Sequence, residues 1–232
     1  MQKVASYVHD FWSLFYPRLC YSCHKALIRE EETICSFCRF ELPRTRMHKE
    51  RENAMSRIFW GRVDVETATA LFYFQKGGKV QQLIHQFKYR GRKDIGIFLG
   101  KQLALEIKNN PLWEPVEIIV PVPLHPKKKH KRGFNQSEVF GRGLSAGLNK
   151  PMIANNLVRV TKTSSQTRKS RFKRWENVET VFQLNKPEDL KGKNILLIDD
   201  VVTTGSTLEA CAHKLKEVKG TRVWVATLAM SV

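Results

Sequence analysis

Two groups of residues in this 232-residue chain have the types and spacing that chemistry needs. The first is Asp199-Asp200-Val201-Val202-Thr203-Thr204-Gly205-Ser206-Thr207, directly after the apolar run Ile195 to Ile198. Backbone N–H groups at a helix start, joined by the hydroxyls of Thr203, Thr204, Ser206 and Thr207, form a cradle for a phosphate monoester. Gly205 lets the backbone come close to the anion, and the expected 5-phosphate subsite runs Val202, Thr203, Thr204, Gly205, Ser206 and Thr207. Two carboxylates ahead of such a cradle are misplaced for the phosphate itself. A sugar resolves the conflict. With the phosphate on C5 of a ribose, Asp199 and Asp200 can accept hydrogen bonds from vicinal hydroxyls and stabilise positive charge developing at the anomeric carbon, so both are expected to be catalytic. The plainer reading is an Asp-Asp cap before a threonine-rich turn; strand, acid pair, hydroxyl run, glycine and helix occurring together argue against it. No Gly-x4-Gly-Lys-Ser/Thr sequence is present, so hydrolysis of nucleoside triphosphates is not indicated.

The second group is Cys20-x2-Cys23 and Cys35-x2-Cys38, a tetrathiolate pattern. Each pair presents two thiolates from a tight knuckle, and two knuckles complete a tetrahedral zinc shell with no open position, which makes the site structural. Zinc would replace a core too small to fold residues 16 to 42 alone, contributing on the order of 10 kcal/mol. Cys20-x2-Cys23-His24 also matches a haem-attachment pattern, but that leaves the second pair unexplained. Disulfides need an export signal, and a redox pair needs no twin. Cys211, on an expected helix, reads as core packing.

The net charge is +18, and it is gathered rather than spread. Residues 121 to 175 carry +13, with only Glu138 opposing fourteen basic side chains. Such a block repels itself unless a polyanion or a heavily phosphorylated small molecule lies nearby; the alternative is a solvated basic face. The composition, 42% hydrophobic with 13 Gly and 9 Pro, excludes disordered and collagen-like classes. No run of 18 apolar residues occurs, so no membrane span is expected, and Asp10 and Ser13 interrupt any signal-peptide core. The expectation is a cytoplasmic protein, with peripheral docking at the inner face of the membrane left open by the stripe Val4, Val8, Phe11, Trp12 and Phe15.

These residues must be carried by an ordered frame. Thr67 to Gln75 alternates and reads as a strand, Gly77-Gly78 breaks it, and Val80 to Phe87 and Ile95 to Lys108 are helical, stopped by Asn109-Asn110-Pro111. Glu117 to Val122 and Asn194 to Ile198 are short β-branched apolar runs suited to strands buried on both faces. Asn135 to Leu148 reads as a helix capped by Asn135. Thr161 to Trp175 reads as a long basic loop before a strand at Thr180 to Leu184, and Pro43 to Arg57 as an irregular connection. A helix over Thr207 to Val218 and a strand over Arg222 to Leu228 close the chain. Strands alternating with helices predict an α/β fold with a doubly wound parallel sheet, residues 61–232, preceded by an N-terminal helix and a small zinc-binding module with its connection, residues 1–60.

Taken together, Pro121-Val122-Pro123-Leu124-His125, Lys131-Arg132-Gly133-Phe134-Asn135-Gln136, Thr163 to Val178 with Gln166, Arg171 and Asn177, the acidic loop and the paired cysteines resemble the ComF competence-protein family. The resemblance implies a type I phosphoribosyltransferase-like fold with a zinc-finger appendage. It also implies bound phosphoribosyl pyrophosphate with Mg2+, and a role in handling incoming single-stranded DNA alongside DNA-uptake proteins. It leaves the acceptor, and turnover itself, open; the alternative is an active phosphoribosyltransferase of nucleotide or related metabolism with no direct DNA role. By the same resemblance, Leu124, His125, Lys127 and Arg132 meet the pyrophosphate, and Arg168 and Arg171 close over it from the basic loop. His125 is a general base or simply structural. A nucleic-acid surface is expected from Lys88, Arg90, Arg92, Lys128, Lys129, Lys131 and Arg174, with Tyr89, Phe134, Phe172 and Trp175 as stacking platforms.

Overall fold

The computed structural model describes residues 15–28, 30–160 and 182–231. Along the chain the elements are α1 (Ser36–Glu41), β1 (Ala68–Phe74), α2 (Lys79–Tyr89), α3 (Lys93–Ile107), β2 (Ile118–Pro121), α4 (Pro126–Arg132), α5 (Gln136–Leu148), β3 (Leu157–Arg159), β4 (Phe182–Leu184), β5 (Asn194–Val202), α6 (Ser206–Lys216) and β6 (Arg222–Ser231). The main sheet has the order β1-β6-β5-β2 with all pairings parallel, and β3 and β4 make a separate antiparallel pair. Because β2 and β5 are parallel neighbours, with Pro121 opposite Ile198, the turns that leave them emerge at the same carboxyl edge. That edge is where an open α/β sheet binds ligands.

Alternation along the strands divides the interior into two layers. Ile119, Leu196, Ile198, Trp224 and Ala226 face one side, against Leu83 and Phe87 of α2, Leu99 and Leu103 of α3, and Phe140 and Leu144 of α5. Ile118, Val120, Ile195, Leu197, Val223 and Val225 face the other, against Leu208, Cys211 and Leu215 of α6. The second layer also takes Met47, Met55 and Phe59. Residues 43 to 57 are therefore not the irregular connection expected from sequence. They form two short 3-10 turns, Met47–Lys49 and Ser56–Phe59, around a buried Asn53 whose amide donates to the carbonyls of Met47, Glu50 and Ala68. A lone asparagine anchoring a turn to a strand leaves no periodic signal.

α3 and α5 pack backbone to backbone. A Cβ at Gly100 would stand 2.2 Å from the Phe140 carbonyl oxygen, and one at Gly143 would stand 2.1 Å from that of Ile97, so only glycine fits at either position. This contact fixes the start of α5, where the Asn135 side chain accepts the Ser137 N–H at 3.2 Å and donates to the Val122 carbonyl at 3.0 Å. Both long borders of the main sheet are occupied. Pro43 and Thr45 bond along the outer side of β1, at Tyr73 N–H to Pro43 O 2.9 Å and Thr45 N–H to Leu71 O 3.2 Å. Pro151 and Ile153 do the same beside β2, each 2.9 Å from its Ile119 partner.

The strand carrying the acid pair runs on to Val202, longer than the sequence suggested. Pro126 to Arg132, to which no element is assigned from sequence, is a helix with proline in its first turn, a His125 cap and Gly133 at φ +78° as its stop. Among the described residues no helix is long and apolar enough to cross a membrane. Of the amphipathic stripe, Val4, Val8, Phe11 and Trp12 lie outside the described residues.

Candidate active site

The acid pair sits at the end of β5, and each carboxylate has its own partner. Asp199 accepts the Ser137 hydroxyl at 2.8 Å and the Asp200 N–H at 2.8 Å through Oδ1. Asp200 pairs with Lys88 at 2.6 Å, both side chains largely shielded. Burial lifts the Asp199 carboxyl to about 7, the Asp200 charge adds to the lift, and Ser137, the Asp200 N–H and Lys88 pull the other way.

Asp199, Val202, Thr203, Thr204, Gly205, Ser206 and Thr207 line a single concavity of ≈ 50 Å³. Its floor is Gly205, at φ +76°, where a Cβ would lie 2.6 Å from Ile58 Cγ2; a left-handed backbone and close approach both demand glycine. The Thr204 and Ser206 hydroxyls are 3.0 Å apart, the Ser206 N–H points to Thr204 Oγ1 at 3.5 Å, and α6 begins with no side-chain cap. Arg62 holds the loop from below, donating to the Thr204 carbonyl at 2.9 Å and pairing with Glu209. Sequence reasoning missed Arg62, which lies 142 residues away and has no local motif. It also missed Ser137, although that residue directly follows the Asn135-Gln136 motif.

The turn after β2 reaches the same edge. His125 caps α4, its Nδ1 accepting the Lys127 N–H at 3.2 Å, which gives the ring a structural part. Leu124 and Lys129 line a cavity of ≈ 580 Å³ shared with His130, Asn135, Glu138 and Arg159. Lys127 is exposed, and Arg132 bonds Gln136 Oε1 at 2.9 Å while lying over the Tyr89 ring. Of the expected nucleic-acid surface, Lys88 is turned in to Asp200 and Arg92 sits over the Tyr21 ring at 5.0 Å. Arg90, Lys128, Lys129 and Lys131 are exposed. Phe134 is no stacking platform: it is buried against Phe87, with Lys93 over its ring. Arg168, Arg171, Arg174, Phe172 and Trp175 lie outside the described residues.

The four N-terminal sulfurs lie within 4.8 Å of one another, with Cys23 and Cys35 Sγ 3.7 Å apart. Zinc–sulfur bonds of about 2.3 Å at tetrahedral angles set ligand sulfurs about 3.8 Å apart, so the cluster fits a zinc ion. The N–H groups of Ser22 and Cys35 point at Cys20 Sγ from 3.4 and 3.3 Å. Burial raises the Cys20 thiol, but backbone donors outweigh it and bring it down to about 7, whereas burial pushes Cys38 up to about 12. Four sulfurs this close cannot all ionise without a cation among them. The module shares the α2 and α3 side of the core through Cys20, Ile34, Cys38 and Leu42.

A parallel sheet whose central strand delivers an acid pair into a hydroxyl-rich turn at a helix start defines a type I phosphoribosyltransferase-like fold, here with an N-terminal zinc-binding module. The Phosphoribosyl transferase domain family matches residues 135–231. Relatives share the wider chain. DNA utilization protein YhgH of Escherichia coli (strain K12) is 30% identical over 201 residues, covering 85% of this chain and 83% of its own. Competence protein F of Haemophilus influenzae is 31% identical over 61% of this chain and 65% of its own, and Competence protein ComFC of Bacillus subtilis is 27% identical over 92% and 83%. The chain belongs to the ComF competence-protein family.

Proposed function

We propose that this protein binds phosphoribosyl pyrophosphate with Mg2+ at the carboxyl edge of β5 and acts in competence, handling incoming single-stranded DNA in the cytoplasm at the inner face of the membrane. The observation that carries the first half is the acid pair abutting a hydroxyl-lined turn at an uncapped helix start. In this reading Val202 to Thr207 hold the 5-phosphate, and Asp199 and Asp200 take the ribose diol. Leu124, His125, Lys127 and Arg132 meet the pyrophosphate, with Arg168 and Arg171 joining from beyond the described residues. Mg2+ bound with the ligand would supply charge neutralisation at the pyrophosphate beside these basic residues. If transfer occurs, the bond from C1 to the pyrophosphate oxygen breaks, the basic groups stabilise the departing charge, and the two carboxylates stabilise the positive charge left on the sugar.

The names of the relatives support the competence role, and α4 supports a polyanion partner: none of its residues is buried, and it has five lysine and arginine side chains in seven residues and no acid among them. Residues 1–60 then serve as the zinc module and connection, held by Cys20, Cys23, Cys35 and Cys38 and available to DNA-uptake proteins, and 61–232 as the ligand domain. Calorimetric titration with Mg2+ and phosphoribosyl pyrophosphate tests the pocket before any acceptor is known. Binding should weaken at least tenfold in Asp200→Ala and Thr204→Ala; unchanged affinity in both defeats the reading. Pyrophosphate release with a nucleobase acceptor and indifference to DNA would favour the alternative, an active phosphoribosyltransferase of nucleotide metabolism.

A further inference from the structure

Between the end of α2 and the exposed side of α4 runs a groove of ≈ 340 Å³ lined by Lys88, Tyr89, Gly91, Lys128, Lys131 and Arg132. Four of its six lining residues are cations, and the fifth side chain is a tyrosine left 61% exposed. The tyrosine is held in place by two neighbours. Arg132 lies over its ring at 5.5 Å, and the His85 ring packs at 5.0 Å, tilted 45°. Arg132 is itself fixed by Gln136. Lys128 and Lys131 have no carboxylate partner among the described residues, whereas Lys88 at the inner wall is committed to Asp200. An apolar ligand would leave these cations unsatisfied, and a simple anion would have no use for the aromatic face.

We infer that this groove is the seat of one nucleotide of a single-stranded nucleic acid, its base laid on the tyrosine–guanidinium pair and its flanking phosphates on Lys128 and Lys131. Tyrosine and guanidinium planes both accept a base by stacking, whatever its identity, and the lysines track the backbone as point charges. The inference rests on the single-strand reading above and gives it a location. It also places the strand against Lys88, which pairs with Asp200, and against Arg132, which the reading above sets beside the pyrophosphate, so the two sites adjoin and share these two cations.

The test is fluorescence anisotropy of the full-length, zinc-loaded protein with a labelled thymidine strand of about twelve nucleotides, over a range of salt concentrations. Tyr89→Ala should weaken binding about tenfold while leaving the slope of log affinity against log salt unchanged, and Tyr89→Phe should restore it. The double variant Lys128→Gln, Lys131→Gln should shallow that slope by about 1.4. Calorimetry on Tyr89→Ala should show Mg2+–phosphoribosyl pyrophosphate binding as in the parent chain. If the strand binds but neither affinity in Tyr89→Ala nor slope in the double variant moves, the strand lies elsewhere and the inference falls alone. If the parent chain does not bind the strand even at low salt, both fall together.

Discussion

Asp199→Asn separates the cost of the acid pair from its use. The carboxyl titrates at about 7 in the folded chain against an ordinary 3.8, so ionising it in place costs at most about 4 kcal/mol. Between those two values the unfolded chain has already lost the proton that the folded chain keeps. Native Asp199 therefore lowers stability as pH rises across this window, and above about pH 7 the loss is complete. Asparagine keeps Oδ1 for the Ser137 hydroxyl and the Asp200 N–H and does not titrate. The variant should equal the parent near pH 4, pull ahead as pH rises, and level off above pH 7 with a gain of about 2 to 4 kcal/mol. Urea denaturation at pH 4, 5.5, 7 and 8 reads this difference, because titrating groups that do not feel the Asp199 charge cancel between the two proteins. The same variant should bind Mg2+–phosphoribosyl pyrophosphate more weakly, the usual conflict between stability and a strained functional group. A gain independent of pH, or one already present at pH 4, would refute the burial argument.

Other perturbations follow from the loop and the module. Gly205→Ala should cost about 1 to 2 kcal/mol from the left-handed backbone alone, more with the Ile58 clash, and should abolish ligand binding by calorimetry; full affinity would mean the turn is not the phosphate seat. Arg62→Ala should release the Thr204 carbonyl and weaken ligand binding about fivefold, with a stability loss near 1 kcal/mol, checked by calorimetry and thermal melting. Cobalt substitution should give a tetrathiolate absorption band saturating at one ion per chain, and chelation should expose residues 15–42 to hydrogen exchange; a cobalt spectrum without thiolate bands would overturn the metal assignment.

The sheet was readable from sequence because its strands are buried on both faces, and Ile118 to Val120 and Ile195 to Ile198 write that burial as uninterrupted β-branched and leucine runs. The hydroxyl-lined turn and the cysteine cluster were readable because their groups are contiguous or regularly spaced. Contacts across the fold were not. Lys88 reads as one more residue of a basic patch until α2 brings it to Asp200, and nothing near Arg62 hints at Thr204. Phe134 misled for the opposite reason: it sits in a basic, polar stretch, yet packs on Phe87. Composition around a residue reports its chain neighbours, while burial is decided by the layer above.

Among the described residues, the bordering segments Pro43 to Thr45 and Pro151 to Ile153 cover both flanks of the main sheet, bonding Leu71 and Tyr73 on one side and Ile119 on the other. Copies of this protein cannot extend that sheet by strand addition, and a partner cannot borrow its ladder as a template. Any complex it enters through this body must be recognised by side chains, which favours contacts that can be made and broken repeatedly over ones that lock irreversibly.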